Sequence, residues 1–242
     1  MKNLFITGYD SNTVWMLDWF LKNFNENSDT PILTYDFDDF SAPVQNAKNW
    51  FKKPFAMLDA VSKVDKVCWL DIDMHIKQNI DGIFDHVEPN KLAMVEDVPW
   101  SRRRGEKWHN SGVVAFQGKP QILQDWASEI ALNPIVGDQE VLHSMLTSPL
   151  KRMIHITDLP REYNTLRIDF IDGTNPNNPK IVHWTATGSV TLPGSMASKR
   201  PGVSVPWPIA VPRRRRRYAL DSIARLSRMW MGGTTIPSSS AN

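Results

Sequence analysis

Residues Val67-Cys68-Trp69-Leu70 form an apolar run that ends in Asp71-Ile72-Asp73. An apolar run bounded by polar residues predicts a buried strand. Strand side chains alternate, so Asp71 and Asp73 are expected on one side, where the strand runs out. Two neighbouring carboxylates repel and resist desolvation unless a cation lies between them. Hard divalent ions such as Mg²⁺ or Mn²⁺ take oxygen ligands and fill the rest of their shell with water and phosphates. The segment thus points to a metal–diphosphate site at the carboxyl edge of a sheet. Spacing alone does not carry this reading. The chain has 19 Asp, and a second triplet, Asp36-Phe37-Asp38, also follows a strand-like run at residues 31–35.

Around this segment, strand-like runs alternate with helical patterns. Residues 2–7, 32–35, 67–70, 92–95, 113–116, 153–156 and 181–183 read as strands. Val14, Leu17, Leu21 and Phe24 recur at helical spacing, which predicts a helix over 13–24 capped by Asn12 or Thr13. Residues 44–62 are helical in pattern but interrupted by Lys53-Pro54, which ends or kinks the first half. Residues 120–132 and 138–146 read as helices, and 99–105 as irregular. Such alternation predicts an α/β sheet, largely parallel in its first half, with ligands at the carboxyl ends of its strands. Thr7-Gly8-Tyr9-Asp10 also lies at such an end. Neither a Gly-x-Gly-x-x-Gly nor a Gly-x-x-x-x-Gly-Lys-Ser/Thr occurs, which disfavours a dinucleotide oxidoreductase and a P-loop enzyme.

The single cysteine, Cys68, excludes an internal disulfide framework and reads as a small buried hydrophobe. The first residues turn polar too soon for a signal peptide, and no run reaches the ~20 apolar residues of a membrane span. A cytoplasmic location is expected. The net charge of +2 hides an asymmetry: residues 1–198 carry 19 Lys and Arg against 25 acids, and residues 199–242 carry 9 against one.

From about residue 188 the texture changes. A Pro-rich linker is expected at 191–212. A basic extension over 213–242 follows, with Arg213–Arg217 beside an amphipathic pattern carrying Leu220, Ile223, Leu226 and Trp230 on one face. This pairing points to an anionic membrane surface, at the inner face of the membrane. Nucleic acid is the lesser reading, since no recognised nucleic-acid fold accompanies the arginines. A helix packed on the body with solvated arginines is the plain structural alternative.

Further clusters follow in a fixed order: Lys53-Pro54 upstream of the carboxylates, then Asn110-Ser111-Gly112, Gly137-Asp138-Gln139, Leu159-Pro160-Arg161-Glu162-Tyr163-Asn164 and Ile181-Val182-His183. Together they resemble the GT-A-fold glycosyltransferases, most closely family 8 and its bacterial and phage relatives, over residues 1–190. The resemblance implies a Rossmann-like mixed sheet and a retaining transfer of sugar from a nucleotide-sugar donor, by family habit a uridine diphosphate sugar. It implies Asp71, Asp73 and His183 as ligands of Mn²⁺ (or Mg²⁺), and Lys53 near the donor. It also implies Asn110, Ser111, Asp138 and Gln139 around the sugar and reacting carbon, and Thr7, Gly8 and Tyr9 at the base. Gly188 is carried as a donor contact on the same ground. The acceptor, whether glycan, lipid-linked or protein, is not implied.

Each residue also has a plain reading. Asp138 after Gly137 fits a helix cap, Asn110-Ser111-Gly112 a turn, Lys53 a solvated surface lysine, and His183 a satisfied interior histidine. The family pattern continues from the histidine into Gly-x-x-Lys-Pro-Trp, whereas no lysine follows His183 here until Lys199. Lys199, Arg200 or one of Arg102–Arg104 is a candidate substitute for that phosphate-binding cation. The departure also leaves two rival functions, an inactive GT-A domain that binds through its basic tail and a nucleotidyltransferase.

Overall fold

The computed structural model describes residues 2–44, 48–132 and 137–184. The linker and basic helix expected beyond residue 190, and Gly188 with them, lie outside the described residues.

In chain order the elements are β1 (Asn3–Tyr9), α1 (Leu17–Asn27), β2 (Ile32–Asp36), α2 (Lys53–Val61), β3 (Lys66–Leu70), β4 (Met74–Ile76) and β5 (Leu92–Glu96). Then come α3 (Val98–Arg104), β6 (His109–Gln117), α4 (Gln121–Leu132), α5 (Asp138–Met145), α6 (Pro149–His155) and β7 (Ile156–Asp158). The last are β8 (Thr165–Leu166), α7 (Arg167–Asp172) and β9 (Ile181–His183). The α/β class and the mixed sheet are as expected.

The main sheet has the order β2-β1-β3-β6-β5-β7. Strands β2, β1 and β3 are parallel, β6 runs against both β3 and β5, and β7 is parallel to β5. This places the ends of β1, β3, β5 and β7 and the start of β6 along one edge. Alternation along β1 sends Leu4 and Ile6 into a core with Met57, Trp69 and Trp126, and Phe5 into a core on the other face with Phe20, Phe24 and Phe84. A small sheet, β4-β9-β8, lies beyond β3, with Met74 paired to His183.

Four local readings are corrected or refined. Lys53-Pro54 divides the helical stretch as expected, since a 3-10 turn over Asn49–Lys52 ends there, but it does so by starting α2, because proline fits the first turn, where its missing N–H costs nothing. Residues 99–105 form helix, since Asp97 accepts the Trp100 N–H, Pro99 occupies the first turn and Gly105 closes the helix at φ 69°. Residues 153–155 are helical, because Ser148 caps α6 and strand begins only at Ile156. Thr13 occupies the cap position of the helical turn before α1 but makes no side-chain cap bond, and the turn is held by Asp10, whose carboxylate accepts the Asn12 and Thr13 N–H groups.

Candidate active site

A cavity of about 410 Å³ opens at the shared strand edge. Gly8, Tyr9, Lys53, Asp71, Asp73, Asn110, Ser111, Asp138, Gln139 and His183 all line it. Residues as distant as 8 and 183 therefore meet in one place. Thr7 is fully buried, is not among the lining residues, and keeps a buried hydroxyl without a hydrogen-bond partner.

Asp71 and Asp73 sit in the connection between β3 and β4, fixed by Asp71 N–H donating to Gly112 O and Trp184 N–H to Asp73 O. His183 Nε2 lies 3.2 Å from Asp73 Oδ1 and 3.7 Å from Asp71 Oδ2. One donor atom from each of the three falls within a 4.8 Å span. Ligands about 2 Å from a shared ion stand about 3 Å or more apart, so the set fits a divalent cation. The orientation of His183 supports this, because its Nδ1 lies 3.2 Å from Asn164 Oδ1 and donates there, which turns Nε2 toward the carboxylates. Burial alone would lower the His183 pKa and raise that of Asp73. Their mutual attraction reverses both, holding the imidazole above and the carboxyl below their ordinary values.

Asn110 proves to be part of this support. Its Oδ1 accepts from Asn164 Nδ2 at 2.8 Å and from Gly112 N–H at 2.9 Å, so that oxygen is already engaged within the site. Gly112 is required for the packing, because a Cβ there would run into the His183 ring and Asn110 Oδ1. The turn reading of this tripeptide is also corrected, since it lies inside β6. Met94 pairs with Val114 but Val95 pairs with Asn110, so residues 111–113 bulge away from β5. Such bulges re-aim side chains, and this one aims Ser111 at the cavity.

The second half of the site is a buried knot around Lys53, which is only 4% exposed and so not a surface lysine. Its Nζ lies 3.0 Å from both Asp71 Oδ1 and Asp138 Oδ2, and donates to Ser111 O and Oγ. Burial pulls its pKa down, but Asp138 and Asp71 outweigh that and hold the ammonium well above its ordinary value. Ser111 Oγ donates to Asp138, and Ser111 N–H donates to Gln139 Oε1. Asp138 makes no capping bond, and Gly137 occupies the cap position of α5. Trp69 Nε1 adds a 2.7 Å bond to Asp71 Oδ1, and the Trp69 ring stacks on Phe37. Asp71 thus keeps Oδ2 for the triad. Trp69, and Asn164 as the partner of His183, were not assigned roles from sequence. A tryptophan two residues before a site carboxylate on a strand is the sequence signal that could have found the first.

Charge sets a further condition. Asp10, Asp71, Asp73, Asp138 and Glu140 line the cavity, and Lys53 is the one lysine or arginine among the described residues that does. An anionic diphosphate would be repelled there without a cation between.

Solved structures with this architecture are glycosyltransferases. One is the galactosyltransferase LgtC in complex with donor and acceptor sugar analogs, at 12% identity, covering 76% of this chain and 87% of that one, with a TM-score of 0.51. Another is GlyE of Streptococcus pneumoniae TIGR4, at 18% identity, covering 81% and 57%, with a TM-score of 0.55. A third is a glycosyltransferase involved in glycosylation of the major capsid of PBCV-1, at 15% identity, covering 77% and 95%, with a TM-score of 0.55. The chain has the GT-A glycosyltransferase fold. No family model and no curated relative matches the sequence. At these identities the likeness fixes the fold, and the activity has to be argued from the site.

Proposed function

We propose that this chain is a metal-dependent glycosyltransferase that moves a sugar from a nucleoside diphosphate donor to an acceptor. The observation that carries the reading is the Asp71–Asp73–His183 triad at the strand edge of a GT-A fold. Asp71 Oδ2, Asp73 Oδ1 and His183 Nε2 would hold the cation, and the imidazole favours Mn²⁺ over Mg²⁺. A bound divalent ion supplies charge neutralisation for a departing diphosphate. Lys53 holds Asp71 and Asp138 apart at fixed positions. Asp138 and Gln139 face the cavity from the first turn of α5, where they would orient sugar hydroxyls. Gly8 and Tyr9 would border the base. Retention of anomeric configuration and a uridine diphosphate leaving group follow from family resemblance. The complete triad and the Lys53 knot favour an active enzyme over an inactive scaffold, and nothing in the site favours a nucleotidyltransferase.

The test is a panel of nucleotide sugars incubated with Mn²⁺, comparing the parent with Asp73→Asn. Release of one nucleoside diphosphate by the parent, reduced about 10²–10³-fold in the variant, is expected. Silence across the panel, with no nucleoside diphosphate raising the melting temperature in the presence of Mn²⁺, would overturn the reading.

A further inference from the structure

Beside the cavity, the β5–β6 connection carries a group of side chains that the transfer chemistry does not use. The Arg104 guanidinium lies 4.8 Å from the centre of the Trp100 ring and 5.6 Å from that of Trp108. The two indoles meet edge to face, and His143 stacks flat on Trp108 with ring centres 3.5 Å apart. Helix α3, which carries Trp100 and Arg104, is capped at both ends. The arginine is therefore held in a built setting and does not dangle from a loop.

Its place in the fold is decisive. Trp108 stands two residues before Asn110, and His143 one helical turn after Gln139; both Asn110 and Gln139 line the cavity. The stack thus adjoins the two elements, β6 and α5, that carry Asn110 and Gln139, although none of its own side chains lines the cavity. Helix α3 follows the carboxyl end of β5, which lies across β3 and β6 from β1 with its Gly8 and Tyr9.

Three other arginines of the described body end on oxygen acceptors, whereas Arg167 keeps a buried Nε without a hydrogen-bond partner. Arg103 pairs with Asp172 at 2.7 Å, Arg161 with Asp169 at 2.7 Å, and Arg152 donates to Leu146 O at 2.6 Å. Arg102 and Arg104 have no acid or carbonyl partner among the described residues, although residues 1–198 carry an excess of acids. Stacking on an aromatic face fixes the guanidinium plane and leaves its N–H edge open to an oxyanion in bidentate fashion.

We propose that Arg104, braced by Trp100 and Trp108, forms an acceptor-side subsite for an oxyanion, so that the acceptor is an acidic glycan carrying carboxylate or phosphate. This rests on the glycosyltransferase reading for its role, but not for its test. The full chain, ¹⁵N-labelled and free of metal, is titrated with glucose 6-phosphate, glucuronate and glucose. The indole N–H signals of Trp100 and Trp108, assigned with Trp→Phe variants, report binding. The sugar phosphate, the sugar acid or both are expected to move the Trp100 signal, and glucose is not. Which of the two acts names the oxyanion. Arg104→Gln should weaken the response about tenfold or more, and Arg104→Lys should not restore it, because an ammonium lacks the stacked fork. A response to glucose as large as to the acids, no response at all, or an undiminished response in Arg104→Gln would overturn the proposal. Mn²⁺ binding at the triad, followed by its EPR signal on the parent, decides the donor reading separately.

Discussion

Two Asp-x-Asp triplets occur in this chain, each at the end of a parallel strand, and the fold treats them differently. Asp36-Phe37-Asp38 ends β2, at the margin of the main sheet. Its carboxylates close local loops: Asp36 Oδ1 accepts the Asp38 N–H, and Asp38 accepts from Ser11 N–H and Asn49 Nδ2. Asp71-Ile72-Asp73 ends β3, which lies inside the sheet between β1 and β6. There the small sheet brings His183 across, and α2 brings Lys53. A carboxylate pair becomes a candidate metal site when distant elements supply a third ligand and a counter-charge. The motif does not achieve this alone.

The largest expected effect tests the counter-charge. Lys53→Met removes the cation between two part-buried carboxylates and should cost about 3–5 kcal/mol in urea unfolding, because Asp71 and Asp138 are left facing each other unpaired. Lys52→Met, one residue away, should cost far less, since Lys52 is half-exposed and its bond runs to the Phe37 carbonyl. Equal losses would mean that the buried knot contributes no more than a surface contact.

Next in size is the triad itself. Asp73→Asn should abolish Mn²⁺ binding measured by EPR, whereas Asp38→Asn should leave it within about twofold of the parent. Equal effects would dissolve the distinction between the two triplets. A smaller step tests the support of His183. Asn164→Ala removes the acceptor for its Nδ1 and should weaken Mn²⁺ affinity about 10–100-fold without removing any ligand. Unchanged affinity would show that packing against Gly112 alone orients the ring.

The sequence carried the strands and the residue types of the site well, but not their partnerships. The apolar runs at β1, β2 and β3 and the helical spacing of α4 and α5 are local signals, and the elements formed where these lie. Lys53-Pro54 was ambiguous because proline breaks a helix inside and starts one at its first turn, and only the tertiary fold decides between them. Met153 and Ile154 resemble strand residues, yet they sit exposed on α6, where Ser148 and Pro149 set the conformation. The order of motifs placed Asn110 near the reacting sugar. Its oxygen also braces Asn164, 54 positions away, a pairing that no local spacing encodes. The bulge at 111–113 arises from a register shift against β5 and so depends on both strands at once.

A third carboxylate at the same sheet edge separates charge pairing from metal binding. Asp158 ends β7 and faces His109 Nε2 at 2.8 Å and Lys107 Nζ at 2.6 Å, an ammonium that Glu96 also approaches at 4.0 Å. The His109 hydrogen bond, joined by Lys107, holds its carboxyl well below the ordinary value despite some burial. In the unfolded chain it takes up a proton near pH 4, while in the folded chain it stays ionised to lower pH. The pairing therefore stabilises the fold fully above that range and loses its contribution as pH falls from about 5 toward the depressed folded value. Because the Asp158 side chain is 58% exposed, water screens the pair and the contribution should stay below about 1 kcal/mol. Asp158→Asn should lower the melting temperature slightly at pH 7, by an amount that shrinks as pH falls below about 4, with metal binding unchanged at neutral pH. A variant that weakened Mn²⁺ binding would tie this edge to the triad, and the contrast between paired and metal-poised carboxylates would fail.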